Sequence, residues 1–196
     1  LSIGSLGSDL DPIVAHHNLL GKPYIMFGSS LGATVILDAM SRNKIDPSYT
    51  ILIGPNAEFK APWFWILIAR ITPPFLYNII KPLVKWYMKK HYLDTDSDPD
   101  QYLKYVRSLD EAHPKRLRRS VLNFSKYKIW DQLGSIHQKV LIFTGSKDVM
   151  HGFENTLKIA KSLSHCDLVD LETNAKTHSV VMVNQMRQYL EEKTNG

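Results

Sequence analysis

One cysteine, Cys166, is all that this 196-residue chain contains. No internal disulfide can form, and the fold depends on no oxidising compartment; a reduced cytoplasm suits it. Long hydrophobic runs are also missing. The most apolar stretch, residues 63–88, is cut by Arg70, Pro73, Pro74, Lys81 and Pro82, which leaves nothing near the ~20 residues of a membrane span. No cationic leader precedes an apolar core, and the first residue is Leu1 rather than Met. Charge of one sign does not dominate either: the net charge is +5. The most basic run, Lys115-Arg116-Leu117-Arg118-Arg119, lacks the interleaved aromatics that stack bases, so it reads as a solvated helix face and no nucleic-acid partner is expected. Repeats and low-complexity tracts are absent beyond Asp94-Thr95-Asp96-Ser97-Asp98-Pro99-Asp100. That run imitates a calcium loop, but its sixth position is Pro99 and its twelfth is Tyr105. Acidic residues at the start of a helix beginning near Pro99 explain it better. The adjacent pair His16-His17 points two ways on a helix and has no third ligand nearby in sequence. Neither a metal nor a cofactor is implied.

What is present is an ordinary globular composition, 44% hydrophobic and 22% charged. Short apolar runs recur at 23–28, 49–54, 139–145 and 166–171, the first three closing on a glycine. They read as buried parallel strands. Helix-length amphipathic segments lie between and after them, at 31–41, 154–163 and 180–192, where Val180, Val183, Met186 and Leu190 share one stripe. A further helix is expected over 8–20, with Asp9 and Asp11 in its first turn and Gly21 at its end. Strands alternating with helices predict an α/β fold, a doubly wound parallel sheet. Residues 56–127 break the alternation, with helical pieces rich in Trp, Phe, Tyr and Lys, and read as an inserted helical cap. The expected organisation is one domain, with core segments 1–55 and 128–196 flanking that cap.

The stretch Gly28-Ser29-Ser30-Leu31-Gly32 satisfies G-x-S-x-G in a single register, which centres Ser30 and makes Ser29 a spacer. An apolar strand precedes it and an amphipathic helix follows, the context in which such a turn lifts a hydroxyl out of a sheet. Glycines are expected at both flanks because side chains there would meet neighbouring backbone. The amide of Leu31 falls at a helix N-terminus, outside the intrahelical ladder, where an oxyanion would form.

With Ser30 in this setting, the chain resembles the α/β-hydrolase fold family over nearly its whole length. The resemblance rests also on Gly145-Ser146-Lys147-Asp148 after a strand, on His178 between the last strand-like run and the terminal helix, and on the lead-in Trp130-Asp131-Gln132-Leu133-Gly134-Ser135-Ile136. It implies a triad in the family's order, Ser30, Asp148, His178. His178 would remove the hydroxyl proton, Asp148 would orient the imidazole, and Leu31 N–H would bind the oxyanion. His151, beside Asp148 in sequence, competes weakly for the base role. Serine at the nucleophile position reads out relatives that use a carboxylate there, the dehalogenases and epoxide hydrolases. Hydrolysis of an ester, thioester, lactone or amide remains, with a carbon–carbon hydrolase, an acyltransferase or a non-catalytic binding module as rivals. The aromatic cap favours an apolar small molecule or lipid as the ester-like substrate. The Lys and aromatic mixture at 81–92 also suits a membrane surface, as a secondary reading.

The family places several strands and a second oxyanion loop ahead of the serine turn, whereas 29 residues precede Ser30 here. The expectation is that upstream sequence is missing, that strand 23–28 presents an apolar edge, and that the fragment alone has low activity. Ala33 and Thr177 stand where many relatives have glycine.

Overall fold

The computed structural model describes every residue except 1, 92–98, 148–151 and 195–196. Its centre is a four-stranded parallel sheet in the order β1 (Ile25–Ser29), β2 (Tyr49–Ile53), β3 (Lys139–Thr144), β4 (Cys166–Asp170). Each expected strand is present within one or two residues of its boundaries. The inner strands, Tyr-Thr-Ile-Leu-Ile and Lys-Val-Leu-Ile-Phe-Thr, are branched and aromatic, suited to a pleated surface covered on both faces.

Alternation along the strands sorts the core into two layers. Ile51, Ile53, Leu141 and Phe143 point to one face with Leu171 and Met182, packed by Val183, Met186, Tyr189 and Leu190 of α10 (Val180–Thr194). Thr50 points the other way and reaches the Met40 sulfur of α3 (Leu31–Ser41) at 3.3 Å. Eight residues of α3 are buried, including Asp38, which pairs with Arg42 at 2.8 Å. Burial pushes the Asp38 carboxyl above its ordinary range against the pull of Arg42. Helix α8 (Phe153–Ser162) packs beside β3 and β4. β1 stands at the end of the sheet, with Ile25 and Phe27 about half exposed.

The helix expected over 8–20 is the shorter α2 (Leu10–His16), and a separate helix, α1 (Ile3–Ser8), precedes it. Helix α2 stops before Gly21 because Asn18 takes the left-handed conformation, φ 55°, and the chain closes with Asn18 N–H on Ala15 O and Leu19 N–H on Val14 O. Asn does here what the sequence reading gave to Gly21.

The chain divides into two compact units, one of residues 7–57 and 129–196 and one of residues 1–6 and 58–128. The second holds α4 (Trp63–Ile71), a short turn of 3₁₀ helix at Pro74–Leu76, α5 (Tyr77–His91), α6 (Pro99–Glu111) and α7 (Pro114–Phe124). Phe64, Trp65 and Tyr87 pack ring against ring. Arg118 donates to the Ala69 and Arg70 carbonyls at 2.6 and 2.7 Å, which ties α7 to the end of α4. Tyr77 donates to Leu109 O at 2.6 Å, and Lys81 and Lys85 reach Asp110 at 3.0 and 2.7 Å.

Candidate active site

The strand-to-helix turn after β1 is built around Ser30, whose φ of 51° and ψ of −113° lie where L side chains are strained. Three bonds hold it there. Ser30 N–H donates to Ile53 O at 2.7 Å, pinning the turn to the end of β2. Thr34, fully buried in α3, donates to Ser30 O from its backbone N–H and from its hydroxyl, both at 3.1 Å. That same hydroxyl accepts Asn56 N–H at 3.0 Å. The elbow is thus overdetermined by its surroundings, the condition under which strained backbone persists. Leu31 is the first residue of α3, so its N–H lies outside the intrahelical ladder.

The two flanking glycines differ. A Cβ on Gly28 would stand 2.9 Å from Ala33 N and from Gly32 C, both backbone, so glycine is required by close approach. A Cβ on Gly32 would meet nothing within 4 Å. Crowding therefore explains the first glycine of the motif and not the second.

His178 follows the short helix α9 (Asn174–Thr177), which Thr173 caps by accepting Lys176 N–H on its hydroxyl. Its Nδ1 lies 3.0 Å from Asn174 O and 3.0 Å from the Thr177 hydroxyl. The Thr177 hydroxyl itself donates to Asn174 O at 2.7 Å. Asn174 O can only accept, so the neutral ring carries its proton on Nδ1 and leaves the Nε2 lone pair free to act as a base. Nε2 then accepts a hydrogen bond from the Ser29 hydroxyl at 2.9 Å. Ser29, read as a spacer, is the side chain brought to the histidine, and sequence reasoning missed it. The doubled serine was the signal, but the side-chain directions after so tight a turn do not follow from strand alternation.

Asp148 and His151 lie outside the described residues. The turn leading to Asp148 is nevertheless tightly defined. Gly145 packs so closely on the histidine loop that a Cβ would stand 2.8 Å from Thr173 C. Lys147 N–H donates to Glu172 O at 2.7 Å, and Leu171 N–H to Thr144 O at 2.8 Å. Asp170 joins the two loops by accepting Ser146 N–H at 2.9 Å and Glu172 N–H at 2.8 Å on one oxygen. Partial burial alone would raise its pKa, yet the Glu172 N–H, Ser146 and Lys147 outweigh it and hold the carboxyl below its ordinary value. Glu172, at φ 67°, turns the chain between them.

Among the described residues no group of three or more His, Cys, Asp and Glu is placed to hold a metal ion. A cavity of about 520 Å³ lies at the opposite end of β1 and β2, lined by Val14, Leu20, Lys22, Tyr24, Lys44 and Asp46 among others. It contains none of the turn's residues. The Cys166 thiol is pushed up to about 12 by burial and the neighbouring Asp167, which makes it a poor nucleophile.

The family model for serine aminopeptidase, S33, matches residues 5–181. No curated protein matches the chain. Among solved structures, an esterase from Thermogutta terrifontis is 14% identical with a TM-score of 0.69, covering 98% of this chain and 73% of that one. A hydrolase from Pseudomonas aeruginosa is 15% identical with a TM-score of 0.71, covering 93% and 69%. An enol-lactonase from Burkholderia xenovorans is 11% identical with a TM-score of 0.69, covering 100% and 74%. At such identities the likeness is one of fold.

Proposed function

Because the chain belongs to the serine aminopeptidase family and has the α/β-hydrolase fold, we propose that it is a serine hydrolase of an ester-like bond in an apolar small molecule or lipid. The observation that carries this reading is the strained elbow at Ser30, one residue from the serine that touches His178 Nε2. Similarity to an esterase and an enol-lactonase supports an ester or lactone as the bond, and the family's description adds an aminoacyl amide.

In this mechanism His178 Nε2 takes the Ser30 hydroxyl proton as Oγ bonds to the substrate carbonyl carbon. The carbonyl oxygen becomes an oxyanion held by Leu31 N–H. The carbon–oxygen bond to the leaving group then breaks, and His178 returns the proton to the departing alcohol. Water repeats the sequence on the acyl-enzyme and releases the acid. Asp148, next after the turn 145–147, would stabilise the imidazolium. No metal or cofactor enters the scheme.

A second reading is favoured by one observation, the 2.9 Å bond from Ser29 to His178. In it Ser29 is the nucleophile and Ser30 supplies the turn. Labelling with a fluorophosphonate, followed by peptide mapping, separates the two. The first reading requires an adduct on Ser30 that disappears in Ser30→Ala and persists, more slowly formed, in Ser29→Ala. An adduct on Ser29 gives the second. A folded chain that takes no label at all is a binding module rather than an enzyme.

A further inference from the structure

Helix α5 is amphipathic with its apolar side turned to solvent, and α4, apolar throughout except for Arg70, also exposes an apolar stripe. On α4, Trp63, Leu67 and Ile71 recur at i, i+4 and i+8; on α5 and the turn before it, Phe75, Ile79, Leu83 and Trp86 recur at i, i+4, i+8 and i+11. These seven side chains are between 45% and 78% exposed. The polar side of α5 faces inward instead: Tyr77, Lys81 and Lys85 are engaged by Leu109 and Asp110 of α6. A surface helix of a water-soluble unit has the opposite arrangement. Contiguous exposed apolar stripes of this kind mark a surface that is covered in use.

Charge identifies the cover. Residues 63–91 contain five Lys and Arg and no Asp or Glu. Lys81 and Lys85 are paired, which leaves Arg70, Lys89 and Lys90 exposed at the ends of the two helices. The Lys90 ammonium sits 5.3 Å from the centre of the Trp86 ring, a cation beside an amphipathic aromatic at the edge of the stripe. Across the whole segment 58–128 there are 14 Lys and Arg against 7 Asp and Glu, whereas the remaining residues hold 10 against 12. Positive charge is thus concentrated on the unit that also exposes the stripes. No single described helix is long and apolar enough to cross a membrane; α4 and the segment Pro74–His91 reach that length and composition only together, and they are bent by 116° where they meet. An apolar stripe too short to span, edged by cations and Trp, matches a segment lying in a bilayer surface.

We propose that α4 and α5 dock the chain onto an anionic lipid bilayer, with Trp63, Phe75, Ile79 and Trp86 in the acyl boundary and Arg70, Lys89 and Lys90 against lipid phosphates. This goes beyond the hydrolase reading and stands without it, because it can be measured on the protein whether or not it turns over a substrate.

The test is co-sedimentation of the whole chain with phosphatidylcholine vesicles containing 30% phosphatidylglycerol, compared with phosphatidylcholine alone. Tryptophan quenching by brominated lipid reports insertion. Binding to the anionic vesicles is expected, with quenching and with weakening in high salt. Phe75→Ser with Ile79→Ser should lower the partition constant ~10-fold or more, since apolar area is lost. Lys89→Glu with Lys90→Glu should lower it by a similar factor on anionic vesicles and little on neutral ones, at about 1 kcal/mol per basic residue. Ile25→Ser with Phe27→Ser, an apolar pair about half exposed but on β1, should leave it unchanged. Thermal melts confirm that each variant is folded. The proposal is overturned if the wild-type chain ignores both vesicles, if the two cap variants bind as well as the wild type, or if the β1 variant loses as much. It is also overturned if light scattering shows the stripes joining two copies while vesicles go unbound.

Discussion

The two units of this chain solve the problem of apolar residues in opposite ways. In the sheet unit Leu52, Ile142 and Phe143 have no measurable exposure, and the loops around the serine and histidine approach so closely that Gly28 and Gly145 leave no room for a methyl group. In the segment 58–128, by contrast, not one described residue is buried, although α4 is among the most apolar stretches of the chain. Half-covered rings and charged or polar ties hold that segment together. The lesson is that hydrophobicity of sequence does not by itself make a core: a sheet covered on both faces closes one, and a few short helices with outward stripes do not.

The contrast is broken most sharply by truncating one large side chain in each unit. Phe143→Ala should cost ~3–5 kcal/mol in chemical denaturation, as expected for a fully buried aromatic, while Phe75→Ala should cost about 0.5 kcal/mol or less. Equal losses would show that the helical unit has a core after all. Next in size are the glycines. Gly145→Ala should cost about 1–3 kcal/mol and lower any fluorophosphonate labelling at the serine turn, because the backbone of the histidine loop must retreat, whereas Gly32→Ala should be close to neutral. A smaller effect is expected at Asp170. Its folded pKa is depressed, so its contribution is present above the ordinary value of 3.8 and is lost as pH falls through the lower folded value. Asp170→Ala should therefore lower Tm more near pH 7 than in strong acid, an effect kept small by solvent screening at this exposed carboxylate. The smallest is kinetic: Cys166, with its raised pKa, should alkylate far more slowly at pH 8 than an unfolded control.

Much of this architecture is legible in the residues. The strands at Ile25–Ser29 and Lys139–Thr144 are announced by unbroken apolar runs ending in glycine, and helix α3 begins and ends where its pattern does. The turn at Ser30 is legible because only one register fits, although its second glycine is not there for the reason first given to it. Other features depend on direction in space, which a one-dimensional pattern lacks. That Ser29, read as a spacer, meets His178, and that Asn18 rather than Gly21 ends α2, are choices made by local backbone after the chain has turned. The stripe on α5 is visible in sequence as a period, but not which side of it faces water.

The ends of the helical segment meet. Ile129 N–H donates to Ala57 O at 2.9 Å, and one step further out Glu58 and Lys128 form an antiparallel bridge. Everything between leaves the sheet unit and returns through a doorway one strand pair wide, about 5 Å across. In terms of construction this is a separable part. Replacing the 71 residues from Glu58 to Lys128 by a two-residue turn is expected to leave β2 and β3 in place, which the melting of such a deletion would check. A change in the helices therefore need not pass through the serine turn, which is held by β2 and α3.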